Sequence, residues 1–187
     1  MRMKLFAGSP LLGLALGLLL LTPLPSFAAP TAGSNEIQVS AGFFHSQGSD
    51  DGSVNADLSY GYYLSPGWEI GLRQAVNYIF RDDARDTWRA TTTPFVLYNF
   101  RVTDVLVPYL GIHGGVVWND RDGTGTAGPQ AGLKLFISPQ TFINLGYRYE
   151  WFFESFRSAV NDRDHGNHVG NIGLGFVWGG SGGRTTR

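Results

Sequence analysis

The chain has 187 residues, with fourteen Lys and Arg against fifteen Asp and Glu, and no cysteine. Scattered basic residues in near balance with acidic ones exclude a basic nucleic-acid surface. The lack of cysteine excludes a disulfide framework, a cysteine–histidine zinc site and a lipid-modified cysteine.

At the amino end, Arg2 and Lys4 precede an apolar run over 11–21, followed by Thr22, Pro23 and Pro25. Ser26-Phe27-Ala28 then puts small residues three and one positions before a cut. This layout predicts a signal peptide over 1–28, cleaved between Ala28 and Ala29. The run is too short for a membrane anchor. Removal leaves 159 residues, one domain, with a net charge of about −3 because Arg2 and Lys4 are lost.

From there the chain alternates with a period of two, the signature of strands with two unlike faces. Strands are predicted over 36–45, 54–64, 68–80, 88–101, 105–119, 128–138, 141–153 and 167–178. The third carries Trp68, Ile70, Leu72, Val76, Tyr78 and Phe80 on one parity. The fourth is interrupted by Pro94, where a bulge is expected. Pro108 and Pro129 lie nearer strand starts. The fifth carries Leu106, Leu110, Ile112, Val116 and Trp118, and the eighth Ile172, Leu174, Phe176 and Trp178. The seventh is the clearest: Ile143, Leu145, Tyr147, Tyr149, Trp151 and Phe153 alternate with Asn144, Gly146, Arg148 and Glu150.

Connections alternate too. Ser65-Pro66-Gly67, Val102-Thr103-Asp104 and Ser138-Pro139-Gln140 read as tight turns. Segments 46–53, 81–87, 120–127 and 154–166 are longer and polar.

A soluble sheet buries its bulky face. A membrane barrel reverses this, turning bulk to lipid and closing on a narrow polar lumen. The fold expected is therefore all-β: an eight-stranded antiparallel up-and-down transmembrane barrel over 29–179, with a flexible periplasmic tail over 180–187. A soluble lipocalin-like carrier would put the bulky parity inside, and eight strands enclose too little volume for it.

All five tryptophans share the outward parity near strand ends. Trp68, Trp178, Tyr98 and Phe100 are expected to form a periplasmic aromatic girdle, and Trp88, Trp118, Trp151, Tyr78 and Phe153 an outer one. The opposite parity places Glu36, Asp57, Glu69 and Glu150 in the lumen with Arg73, Arg89, Arg101, Lys134 and Arg148. An eight-stranded interior is filled by side chains, so these nine are expected to form a paired polar core. The 26 glycines fit close strand packing and a narrow lumen.

Along the last strand, Asn171, Gly173, Phe176 and Trp178 resemble the terminal signal read by barrel-assembly machinery. With this strand and the pattern over 35–178, the mature chain resembles the small eight-stranded outer-membrane barrels, the group of OmpX, OmpW and the transmembrane part of OmpA. The resemblance implies residence in the outer membrane of a Gram-negative bacterium, with lipid, lipopolysaccharide and the assembly machinery as partners. The implied role is non-enzymatic: envelope support, loop presentation or a narrow porin-like passage.

A lipid-modifying enzyme is the alternative and needs a histidine near a hydroxyl nucleophile and a carboxylate. His113 points into the lumen with no serine partner, whereas His165 and His168 lie in or beside the last loop with Ser155, Ser158, Asp162 and Asp164. Their spacing matches no catalytic motif, and a solvated loop accounts for them. The Asp-rich loops, Asn119-Asp120-Arg121-Asp122-Gly123 among them, lack the rest of a calcium-binding loop. No catalytic residue, metal site or cofactor is assigned, and oligomeric state is left open.

Overall fold

The computed structural model describes residues 30–45, 52–80, 87–119, 123–153 and 166–180. Eight strands follow in order: β1 (Ser34–His45), β2 (Gly52–Tyr63), β3 (Trp68–Phe80), β4 (Thr87–Asn99), β5 (Leu106–Trp118), β6 (Gly123–Phe136), β7 (Thr141–Phe152) and β8 (Gly166–Gly179). Each pairs antiparallel with the next, and β8 returns to β1 from Ser34↔Gly179 to His45↔His168, closing the barrel. Closure leaves no open sheet edge and pairs every strand on both sides, the condition for strands in hydrocarbon.

Three short connections share one chemical device. Ser65 Oγ accepts from the Trp68 amide at 3.1 Å, Thr103 Oγ1 from Leu106 at 2.8 Å and Ser138 Oγ from Thr141 at 2.9 Å. In each, a hydroxyl three residues ahead fixes the turn before the next strand starts. All three turns lie at the barrel end that holds the start of β1 and the end of β8.

The sixth strand begins at Gly123, five residues before the expected 128. Gly123-Thr124-Gly125-Thr126-Ala127 has no bulky alternation, so its residues read as loop. Backbone pairing with β5, from Trp118↔Gly123 onward, needs no side-chain bulk.

Pro94 also corrects an expectation, since the strand carries no bulge. The β4–β5 ladder omits Thr93 and Pro94 and resumes in the same register, Thr92↔Val116 and then Phe95↔His113. On the other side Pro94 stays paired with Leu72. Pro129 behaves alike, paired with Ile112 while the β6–β7 ladder skips from Ala127↔Trp151 to Gln130↔Arg148. A proline lacks one donor, and each costs one ladder on one side.

The faces divide sharply. Leu72, Ile112, Val116, Leu145, Ile172 and Leu174 are exposed on the outer wall, Ile112 at 65 %. A lipocalin-like arrangement would have these inside. The interior holds the ionic residues, yet it is not uniformly polar. Val107, Phe136, Phe142 and Val177 form an apolar floor at the turn end, with the Phe136 and Phe142 rings 5.2 Å apart. Phe95, Leu97 and Tyr109 form a second apolar patch.

Candidate functional site

The lumen is built from inward residues of all eight strands and divides into two ionic clusters. In the turn-end cluster, the Lys134 ammonium on β6 contacts Glu36 Oε2 at 2.7 Å and Oε1 at 2.9 Å on β1. It also contacts Glu69 Oε2 at 2.8 Å on β3 and the Tyr63 hydroxyl at 2.9 Å on β2. Tyr63 donates to Glu36 Oε2 at 2.7 Å, and Asn99 Nδ2 to Glu69 Oε2 at 3.0 Å. The ammonium lies within 5.2–5.8 Å of the Tyr63, Tyr109 and Phe142 ring centroids. Lys134 is 1 % exposed, so its charge is answered inside the barrel by two carboxylates and ring faces.

Nearer the loop end, Arg148 Nε donates to Glu150 Oε1 at 2.9 Å, and its Nη1 reaches Asp57 Oδ2 at 3.4 Å. Asn171 Nδ2 approaches the same Asp57 oxygen at 3.4 Å. Arg73 donates to Gln130 Oε1 at 3.0 Å and stands 5.1 Å over the Phe95 ring. Arg89 stands 5.8 Å over the Phe152 ring, and with the Asn167 amide turned, Asn167 accepts from its guanidinium at 2.7 and 2.9 Å.

The turn-end cluster thus sets two carboxylates around one ammonium. The loop-end cluster sets three guanidiniums against two carboxylates. Their excess charges are opposite, and the eight buried ions cancel in formal charge. The void between Asn55, Asn77, Arg89, Thr91, Arg148 and Glu150 is ≈ 10 Å³. That is at the lower limit for one water molecule.

Eight of the nine expected lumen residues are buried together here. Arg101 is the exception: β4 ends at Asn99, and Arg101 lies exposed beyond it, donating to the Pro30 carbonyl. The alternation in sequence runs on for two residues past Asn99, where the strand ends. Tyr63, Asn99, Tyr109, Gln130 and Asn167 join the clusters although the pattern of charges does not mark them. A signal for Tyr109 exists in the inward glycines, since a side chain at Gly132 would collide with its ring.

His113 is buried, and neither ring nitrogen has a partner among the described residues. His168 is outside the lumen on the exposed face, its Nδ1 2.6 Å from the Tyr147 hydroxyl. His165, Ser155, Ser158, Asp162 and Asp164 lie outside the described residues, as do 1–28 and 181–187.

On the outer wall aromatic rings gather at both ends. At the turn end Trp68 meets Tyr98 edge-on at 5.1 Å, Tyr98 meets Phe100 at 4.9 Å, and Phe176 stacks on Trp178 at 6.1 Å. At the loop end Trp88 meets Trp118 at 5.7 Å and Tyr149 meets Trp151 at 5.2 Å; Tyr78 and Phe153 are exposed at the same end. Along β8, Phe176 and Trp178 face outward, and Gly173 faces inward close to the Ser40 hydroxyl.

The model of the outer membrane protein beta-barrel domain matches residues 14–178. The chain belongs to that family. Its place is the outer membrane of a Gram-negative bacterium. Among solved structures it is similar to the N-terminal β-barrel domain of Pseudomonas aeruginosa OprF, at 17 % identity and TM-score 0.57, covering 80 % of this chain and 100 % of that one. It is similar to Neisserial surface protein A at 14 % identity and TM-score 0.60, covering 76 % and 95 %. It is also similar to Ail, the attachment invasion locus protein of Yersinia pestis, at 15 % identity and TM-score 0.51, covering 79 % and 100 %. At these identities the likeness is one of fold. No curated protein is a significant match to the chain.

Proposed function

We propose that this outer-membrane barrel is a closed, non-enzymatic scaffold that stabilises the envelope and holds four loops at the cell surface, with no open water path through its strands. The supporting observation is the Lys134 centre. Its ammonium binds residues from β1, β2 and β3 across the lumen, directly above the floor of Val107, Phe136, Phe142 and Val177. A hydrated channel would leave those ions to water; here they neutralise one another.

The test is conductance of the refolded full chain in planar bilayers. A baseline without discrete steps is expected. Regular single-channel openings at neutral pH would contradict a closed scaffold and favour a narrow porin.

The aromatic clusters support seating in the bilayer, one ring at each headgroup level. Asn171, Gly173, Phe176 and Trp178 on β8 suit recognition by assembly machinery, and the outer surface suits contact with lipid and lipopolysaccharide.

A further inference from the structure

We infer that the outer wall carries a binding site for one phosphate-bearing acyl lipid of the outer leaflet, formed by an apolar groove across β1, β8, β7 and β6 and topped by His168 and Tyr147. The site depends on membrane seating and not on whether the lumen conducts.

The groove is ≈ 550 Å³ and is lined by Ala41, Ala131, Leu145, Tyr147, Gly170 and Ile172, among others. It exists because small residues interrupt a bulky face. Gly170 is paired with Tyr147, which is paired with Ala131, and Ala41 is paired with Ile172. The larger side chains Leu145, Ile172 and Tyr147 form its walls.

Its loop-directed end changes chemistry. His168 follows Gly170 on the same face of β8, one alternation nearer the loops, and is paired with Tyr149. The His168 ring lies 4.9 Å from Tyr149 and 6.0 Å from Tyr147. Tyr149 continues to Trp151, so the polar pair sits just inside the outer aromatic ring. From Leu145 to Tyr149 is about 13 Å along the strand, or about 10 Å along the membrane normal at the usual tilt. Hydrocarbon below and hydrogen-bonding groups at headgroup depth match the profile of one lipid molecule.

The Tyr147 hydroxyl stands 2.6 Å from His168 Nδ1, and in the tautomer with Nδ1 unprotonated Tyr147 is the donor. The ring proton then resides on Nε2, which has no partner among the described residues. A donor at Nε2 suits a phosphate oxygen, an anionic acceptor stronger than the ester carbonyls that an uncharged diacylglycerol also offers.

The experiment is native mass spectrometry of the full chain in dodecyl maltoside, titrated with phosphatidylglycerol or with diacylglycerol bearing the same acyl chains. His168→Phe, Tyr147→Phe and Ala131→Phe are compared, each first shown to keep a heat-dependent gel shift. The expected result is one phosphatidylglycerol adduct that saturates before any other. His168→Phe should weaken it roughly tenfold, the size of one hydrogen bond to a charged group. Ala131→Phe should remove the step by filling the groove, and diacylglycerol should show no distinct first adduct. Adducts rising gradually and equally in all variants would overturn the proposal. So would equal binding of diacylglycerol, or a mass of two chains that Ala131→Phe returns to one.

Discussion

Lys134 and Glu36 meet at 2.7 Å across the lumen, from strands that share no ladder and from positions 98 residues apart in sequence. The contact ties the sixth strand to the first independently of backbone pairing. Glu69 from the third strand, at 2.8 Å, makes the tie three-way.

Lys134→Ala leaves two buried carboxylates without their cation. It is expected to destabilise the barrel by about 3–5 kcal/mol, the usual consequence of breaking a buried pair. Urea unfolding in detergent measures it. Combining Lys134→Met with Glu36→Gln should cost less than the two single changes added, because the double change removes one of the two stranded charges and leaves only Glu69.

The loop-end cluster should respond similarly, and the strand end should not. Arg148→Ala strands Glu150 and Asp57 together and should lower the unfolding midpoint clearly, as should Glu150→Ala. Arg101→Ala, at an exposed position past β4, is expected to fall within about 0.5 kcal/mol of the parent. Equal losses at Arg101 and Arg148 would show that the charges act through something other than burial.

Much of this fold is legible from alternation alone, because the membrane turns bulky side chains outward and makes the strand period visible over whole segments. Seven of the eight strands follow from it to within two residues at each end, and so do eight of the nine lumen ions. The start of β6 is not legible: Gly123-Thr124-Gly125 pairs through backbone groups that leave no mark in side-chain size. The straight passage through Pro94 is hidden too, since a one-sided loss of ladder bonds and a bulge begin from the same residue. Parity tells that Phe136 and Phe142 point inward, but it does not tell that they meet Val107 and Val177 in a floor.

One inward and one outward glycine provide a packing test. A side chain at Gly175 would run into the Phe142 ring, whereas one at Gly114 meets its nearest atom at an ordinary 3.6 Å. Gly175→Ala is therefore expected to cost about 1–3 kcal/mol by overpacking the floor, and Gly114→Ala close to nothing. Thermal unfolding of the two variants side by side decides this.

The outward tryptophans predict a depth profile. Trp68 and Trp178 at one end and Trp118 and Trp151 at the other are exposed on the wall. Lipids brominated near the headgroup should quench their fluorescence more than lipids brominated at the chain terminus. The reverse order would move the rings to the bilayer centre and remove both girdles.

The central claim is that one face of every strand meets lipid while the other packs into a filled, water-poor lumen. The natural absence of cysteine permits single nitroxide labels at Leu72, Ala75, Ile112, Asn144 and Ile172 in vesicles, read by collision with oxygen and with a water-soluble nickel chelate. Labels at Leu72, Ile112 and Ile172 are predicted to collide freely with oxygen and hardly with nickel, and those at Ala75 and Asn144 to be shielded from both. Strong nickel collisions at Ala75 and Asn144 would show an open aqueous lumen and contradict the account.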